Sequence, residues 1–218
     1  DAEEVLSAAT DNTKAIFICS PNNPTGNLLS RKSILKILDN FNGLVVLDEA
    51  YVDFAETKSF IEEINKRNNL IVLQTFSKAW GLANLRVGSA FADKRIISIL
   101  NKIKYPYNVN GLSQKAVLQA LSKTEEVKGT VRKIIAERTR LKKGLQNFDF
   151  VKNVFPSDAN FLLVKVAGAS KIYDYLLKNG VIVRNRSGLP HCEECLRFTV
   201  GAESENDKLL ELLSNYGA

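Results

Sequence analysis

An α/β fold, a mostly parallel sheet followed by a smaller C-terminal α/β unit, is predicted by three features of the sequence. Three apolar runs, "KAIFICS" (14–20), "GLVVLDEA" (43–50) and "LIVLQTFS" (70–77), each end in polar or small residues, as strands buried in a parallel sheet do. Segments with helical spacing stand between them, and strand–helix–strand alternation implies right-handed crossovers and a parallel sheet. Beyond residue 110 the pattern changes to a long charge-rich helical stretch and then to short alternating strands and helices.

The elements follow in order. "SRKSILKILDNF" (30–41) has leucine and isoleucine at helical spacing behind a Ser30 cap. "SFIEEINKR" (59–67) is a shorter helix candidate, and "RVGSAFAD" (86–93) reads as a fourth strand. A single long helix is expected over "LSQKAVLQALSKTEEVKGTVRKIIAERTRLKKGLQNF" (112–148), with Gly129 inside it. Then come "NFLLVKV" (160–166) as a strand and "SKIYDYLLKNG" (170–180) as a helix stopped by Gly180. "VIVRNR" (181–186) and "CLRFTVG" (195–201) read as strands, and "ENDKLLELLSNY" (205–216) as the last helix. The expected division is 1–110 as part of a large domain, 111–143 as a connecting helix and 144–218 as a small domain.

Composition narrows the class. Of 218 residues, 45% are hydrophobic and 25% charged, ordinary for a soluble globular protein. No apolar run approaches the ~18–20 residues of a membrane span, and "DAEEVLSAATDNTK" has no signal-peptide pattern. There is no methionine, so the expectation is a chain that lacks its native start. The net charge of +6 fits either a lysine-rich surface or an anion-binding protein. Its basic residues are dispersed, the densest group being 132–143, and nucleic-acid motifs are absent. Three cysteines, an odd count in a chain this long, suggest a reducing, cytoplasmic setting. "HCEEC" (191–195) has the spacing of half a zinc site, but no second pair follows, so no metal is expected and the two thiols read as loop residues.

The polar signals stand at strand ends, where ligands gather in parallel α/β sheets. "SPNNPTG" (20–26) fixes a tight turn and mounts amide groups on it, although by itself it is only a loop. Asp48 follows "LVVL" and needs a cationic partner if half-buried. It could cap a helix, form an internal ion pair, or hold a proton on a ligand nitrogen. Tyr51 stands three residues on. Lys78 alone would be a surface lysine. At a strand end among apolar neighbours its charge would be disfavoured, as a Schiff-base lysine requires. Ser77 precedes it, and Arg86, eight residues on, has the planar fork of a phosphate clamp. Asparagine, aspartate, tyrosine, serine–lysine and arginine in this order supply the roles of a pyridoxal phosphate site.

The motifs "SPNNPTG", "VVLDEAYVDF" and "TFSKAWGLANLRVG" resemble those of fold-type I, class II aminotransferases. "YPYNVN" (105–110), "NFLLVK" (160–165) and "GVIVRNRSG…CLRFTVG" narrow the resemblance to the members acting on histidinol phosphate. It covers essentially the whole chain and implies the fold-type I large domain plus the small domain, with pyridoxal 5'-phosphate as cofactor. It implies Lys78 as the covalent anchor and later proton carrier, and Asp48 at the pyridinium nitrogen. Asn23 and Tyr51 would face the ring 3-oxygen, and Ser77 and Arg86 the cofactor phosphate. Arg197 and Arg184 would bind the substrate phosphate, with Asn160 lining the substrate end; without the resemblance either arginine reads as a surface strand residue. The implied reaction is amino transfer between histidinol phosphate and 2-oxoglutarate by a homodimer. The family also has an N-terminal third that this sequence does not match, so little or no turnover is expected of these residues alone. A related decarboxylase or aromatic aminotransferase, or a folded non-catalytic fragment, are the alternatives.

Overall fold

A computed structural model describes residues 1–216. By contacts the chain divides into two units, Asp1–Pro21 with Leu28–Lys128, and Asn22–Asn27 with the residues from Gly129 onward.

The first unit holds a four-stranded sheet in the order β1 (Ala15–Cys19), β2 (Leu44–Asp48), β3 (Leu70–Thr75), β4 (Gly88–Ala92). The first three strands are parallel and β4 runs antiparallel to β3. Helix α1 (Ala2–Ala8) opens the chain, and α2 (Arg31–Asn40) crosses from β1 to β2. Ser30 caps α2 by accepting from the Ser33 amide at 3.1 Å. One face of the sheet forms the core: Ile18, Val45, Leu47, Leu70 and Val72 meet Ile34, Ile37 and Leu38 of α2 and Phe60. Phe60 begins a 3-10 helix (Phe60–Lys66), a tighter turn than the expected α-helix.

Two strand expectations are corrected. β1 is not buried on both faces: Phe17 is 76% exposed, and of its residues only Ile18 is buried. β3 stops at Thr75, so Ser77 and Lys78 lie in the turn that follows. Helix α3 (Lys94–Ile103), absent from the sequence reading, follows β4. The expected long helix is two, α4 (Gly111–Leu121) and α5 (Thr124–Leu145).

In the second unit the sheet order is β5 (Val151–Val154), β6 (Phe161–Val166), β8 (Cys195–Thr199), β7 (Arg184–Asn185), all antiparallel. The expected strand 181–186 is only two residues long. Alternation sorts β6 and β8. Leu162, Val164, Leu196 and Phe198 face a core completed by Leu141 and Leu145 of α5, α6 (Ala169–Lys178) and α7 (Glu203–Tyr216). Phe161, Leu163, Cys195 and Arg197 fall on the opposite face. After α6, Gly180 takes φ +75°, a left-handed conformation that ends the helix.

Candidate active site

In the first unit the carboxyl ends of β2 and β3 lie side by side, with Asp48 in register with Leu73. Asp48 is half-buried and accepts from the Ala50 amide at 2.9 Å. Among the described residues it has no ion-pair partner, so a half-buried carboxylate waits at the strand mouth without a cation. Its charge is felt next door: the thiol of Cys19, in register with Asp48, is held above its ordinary range by desolvation and then by that carboxylate.

Lys78 starts a turn closed by the Gly81 amide donating to its carbonyl at 3.0 Å, with Gly81 at φ +67°. It is exposed rather than set in an apolar pocket, because β3 has already ended. Its ammonium lies 5.3 Å from the centroid of the buried Tyr51 ring, within cation–π range. Asp48, Tyr51 and Lys78 thus belong to two neighbouring strand ends. Ser77 is half-buried, its amide donating to Thr75 Oγ1 at 3.1 Å. Arg86 is exposed, with φ +55°, and its Nη1 donates to the Ala83 carbonyl at 2.9 Å.

Sequence reasoning missed the group that fixes this region. Glu49, 3% exposed, accepts from Ser59 Oγ at 2.5 Å, the Phe60 amide at 2.8 Å and Gln74 Nε2 at 3.0 Å. It ties the ends of β2 and β3 to the 3-10 helix. The signal was present in the period of two: Glu49 follows Asp48, so it points to the other face. In "YPYNVN", Asn110 caps α4 by accepting from the Ser113 amide at 2.9 Å, while Tyr105 and Tyr107 are exposed.

The second unit gathers another set. The loop 22–27 is held by the Gly26 amide on the Asn22 carbonyl (2.7 Å) and the Asn22 amide on the Asn27 carbonyl (3.0 Å). Gly26 has φ +81°, and a Cβ there would collide with Ser157 Oγ, so only glycine fits. The loop presents Asn23, whose Oδ1 accepts from Arg197 Nη1 at 2.7 Å. That bond engages the amide oxygen and leaves the amide NH2 as a donor. The Arg197 guanidinium also lies 4.9 Å from the Phe161 ring centroid. Across the β7–β8 ladder Arg184 stands directly opposite Arg197. Like charges so placed repel, and among the described residues no carboxylate pairs with Arg184. An anion between such forks would relieve the repulsion. Asn160, just before β6, accepts from the Val200 amide through its carbonyl at 2.9 Å.

The parallel strand ends of one sheet and the arginine-bearing hairpin of the other belong to an α/β protein. The structure matches the crystal structure of histidinol-phosphate aminotransferase from Clostridium acetobutylicum with a TM-score of 0.93 and 26% identity, covering 100% of this chain and 67% of that one. It also matches the histidinol-phosphate aminotransferase of Sinorhizobium meliloti in complex with pyridoxal-5'-phosphate, with a TM-score of 0.89, 26% identity, and 99% and 62% of the two chains covered. In sequence, the histidinol-phosphate aminotransferase of Parabacteroides distasonis is 54% identical over 215 residues, 99% of this chain and 62% of that protein. A sequence model of the aminotransferase class I and II family matches residues 1–214, and the chain belongs to that family. It spans about 62% of the length of the curated relatives it matches.

Proposed function

We propose that the protein takes part in amino transfer between histidinol phosphate and 2-oxoglutarate, with pyridoxal phosphate as cofactor and as a homodimer. The observation that carries this reading is the placement of an uncompensated Asp48 and of Lys78 at the neighbouring mouths of β2 and β3. The cofactor, when bound, supplies an electron sink for the substrate's α-carbon. Asp48 holds a proton on the ring nitrogen. Tyr51 and the Asn23 NH2 donate to the ring oxygen. Ser77 and Arg86 bind the cofactor phosphate. Lys78 would hold the cofactor and would move the proton at the substrate's α-carbon as the general base.

Arg184 and Arg197 bind the phosphate of histidinol phosphate and the carboxylates of 2-oxoglutarate, with Asn160 at the substrate end. A facing pair of guanidinium groups suits a dianion better than a single positive charge does. These 218 residues alone are proposed to turn over little or not at all, because they span only part of the relatives' length.

The test is covalent. The protein is incubated with pyridoxal phosphate, reduced with borohydride and mapped by mass spectrometry. A pyridoxyl group on Lys78, absent from Lys78→Ala, is expected; labelling equal at several surface lysines would sink the cofactor assignment. Product analysis then decides the substrate. Loss of carbon dioxide from a phosphorylated amino acid, without transfer from histidinol phosphate, would replace this reading with a decarboxylase.

A further inference from the structure

We propose that Cys192 and Cys195 form a redox modification site, a thiol pair that closes to an intramolecular disulfide at the base of the β7–β8 loop. The inference concerns the thiols alone and does not depend on the amino-transfer reading.

The loop geometry carries it. Arg184 pairs with Arg197 and Asn185 with Leu196, and the Arg186 amide then donates to the Cys195 carbonyl at 2.8 Å. Residues 186 and 195 are therefore the base of the loop. Inside it run three successive turns: the Leu189 amide donates to the Arg186 carbonyl (2.9 Å), Cys192 to Leu189 (3.1 Å) and Cys195 to Cys192 (3.0 Å). The last turn begins and ends on a cysteine. A turn closed in this way brings its end Cα atoms within about 7 Å, and a disulfide bridges Cα atoms about 4.4–6.8 Å apart. Both side chains are free thiols, buried together against Leu163. Among the described residues no cluster of three or more His, Cys, Asp or Glu could hold a metal ion.

Burial protects the pair until the loop opens. Desolvation, reinforced by the neighbouring Cys192, keeps the Cys195 thiol above its ordinary value and so poor in thiolate. The loop is also held against local preference, with His191 at φ +61° and Glu194 at φ +57°. Opening of the loop, with fraying of the Lys165–Cys195 end of the β6–β8 ladder, exposes the two thiols. In the open loop one thiolate attacks a sulfur of a low-molecular-weight disulfide such as oxidised glutathione and expels one small thiol. The second cysteine attacks the mixed disulfide and expels the other. Two protons and two electrons leave the protein thiols, and one small disulfide becomes two thiols. The new bond cross-links the turn beside the Arg186–Cys195 bond, two residue pairs beyond the pairing of Arg184 with Arg197.

The test is a thiol count. The protein is incubated with oxidised glutathione, denatured and alkylated. Cys19 alone is expected to alkylate, and the peptide carrying Cys192 and Cys195 should lose two hydrogens in mass and recover them with dithiothreitol. Cys19→Ser should leave that oxidation unchanged. Cys192→Ser and Cys195→Ser should instead retain a glutathionyl group on the remaining cysteine. If the protein keeps all three alkylatable thiols, or if Cys192 or Cys195 of its oxidised form is glutathionylated or joined between chains, the proposal is overturned.

Discussion

The residue that separates binding from folding most cleanly is Arg184. It is exposed, faces Arg197 across the ladder and has no carboxylate partner among the described residues. Arg197 is different, because it also grips Asn23 and lies on Phe161. Removing Arg184 relieves a like-charge contact, so Arg184→Ala should stabilise the fold by about 0.2–1 kcal/mol. The same change removes the charged hydrogen bonds proposed for a bound anion, and inorganic phosphate should bind more weakly by roughly 10–100-fold. Arg197→Ala should weaken phosphate binding and lower the melting temperature as well. Calorimetric titration beside thermal melts checks both; a destabilised Arg184→Ala with unchanged phosphate affinity would remove the anion site from this strand. The types and order of these residues were readable from the sequence. The Asn23–Arg197 bond was not, since nothing local says that loop 22–27 associates with strands more than a hundred residues on.

At the level of elements, α5 and α7 are joined by a network centred on Glu137. Arg140 binds it through two nitrogens at 2.9 and 2.8 Å and reaches Asp207 at 2.7 Å, while Asn206 Nδ2 donates to Glu137 at 2.8 Å. The Arg140 hydrogen bond first, and then that from Asn206, hold the Glu137 carboxyl below its usual range. A carboxyl lowered by folding contributes stability above its unfolded value, about 4.3, and loses it as pH falls through the folded value. Glu137→Gln should therefore cost about 1 kcal/mol or less at neutral pH and flatten the acid side of the stability curve below about pH 4. Denaturant titrations at several pH values would show this, and parallel acid limbs would refute it. The sequence reading carried α5 but joined it to α4. The break lies at Ser122 and Thr124, whose hydroxyls donate to the Gln119 and Leu121 carbonyls at 2.7 Å, offering the backbone an alternative to the helical ladder. Gly129 stays inside the helix, as expected. Helix α3, to which the sequence reading assigned no element, starts at an Asp93 cap only one residue after β4 ends.

At the scale of the molecule, the apolar surface is unevenly placed. The three main strands of the first unit bury one face against α2, yet Phe17 projects 76% exposed from β1. Helix α3 has isoleucines at helical spacing, and none of its residues is buried. Ile99, Ile103, Tyr105, Tyr107, Leu112 and Leu118 are between 59% and 93% exposed within twenty residues of sequence. Scattered exposed apolar residues are ordinary, but so many along α3 and the start of α4 make this stretch a candidate for cover by another surface. Transfer of apolar area from water is worth roughly 25 cal/mol per Å², and cover of these side chains by a second copy would supply that gain against an association cost of about 4–15 kcal/mol. Residues 1–218 should therefore self-associate, with a sedimentation coefficient that rises with concentration. Ile103→Glu together with Tyr107→Glu should shift the distribution toward monomer while leaving the melting temperature nearly unchanged, because both side chains already face solvent. Wild-type protein that stays monomeric at every concentration would show that this surface is not an association surface. A double variant that associates as the wild type does would place the contact elsewhere, for instance along the exposed edge of β1, whose unpaired backbone groups can template another strand.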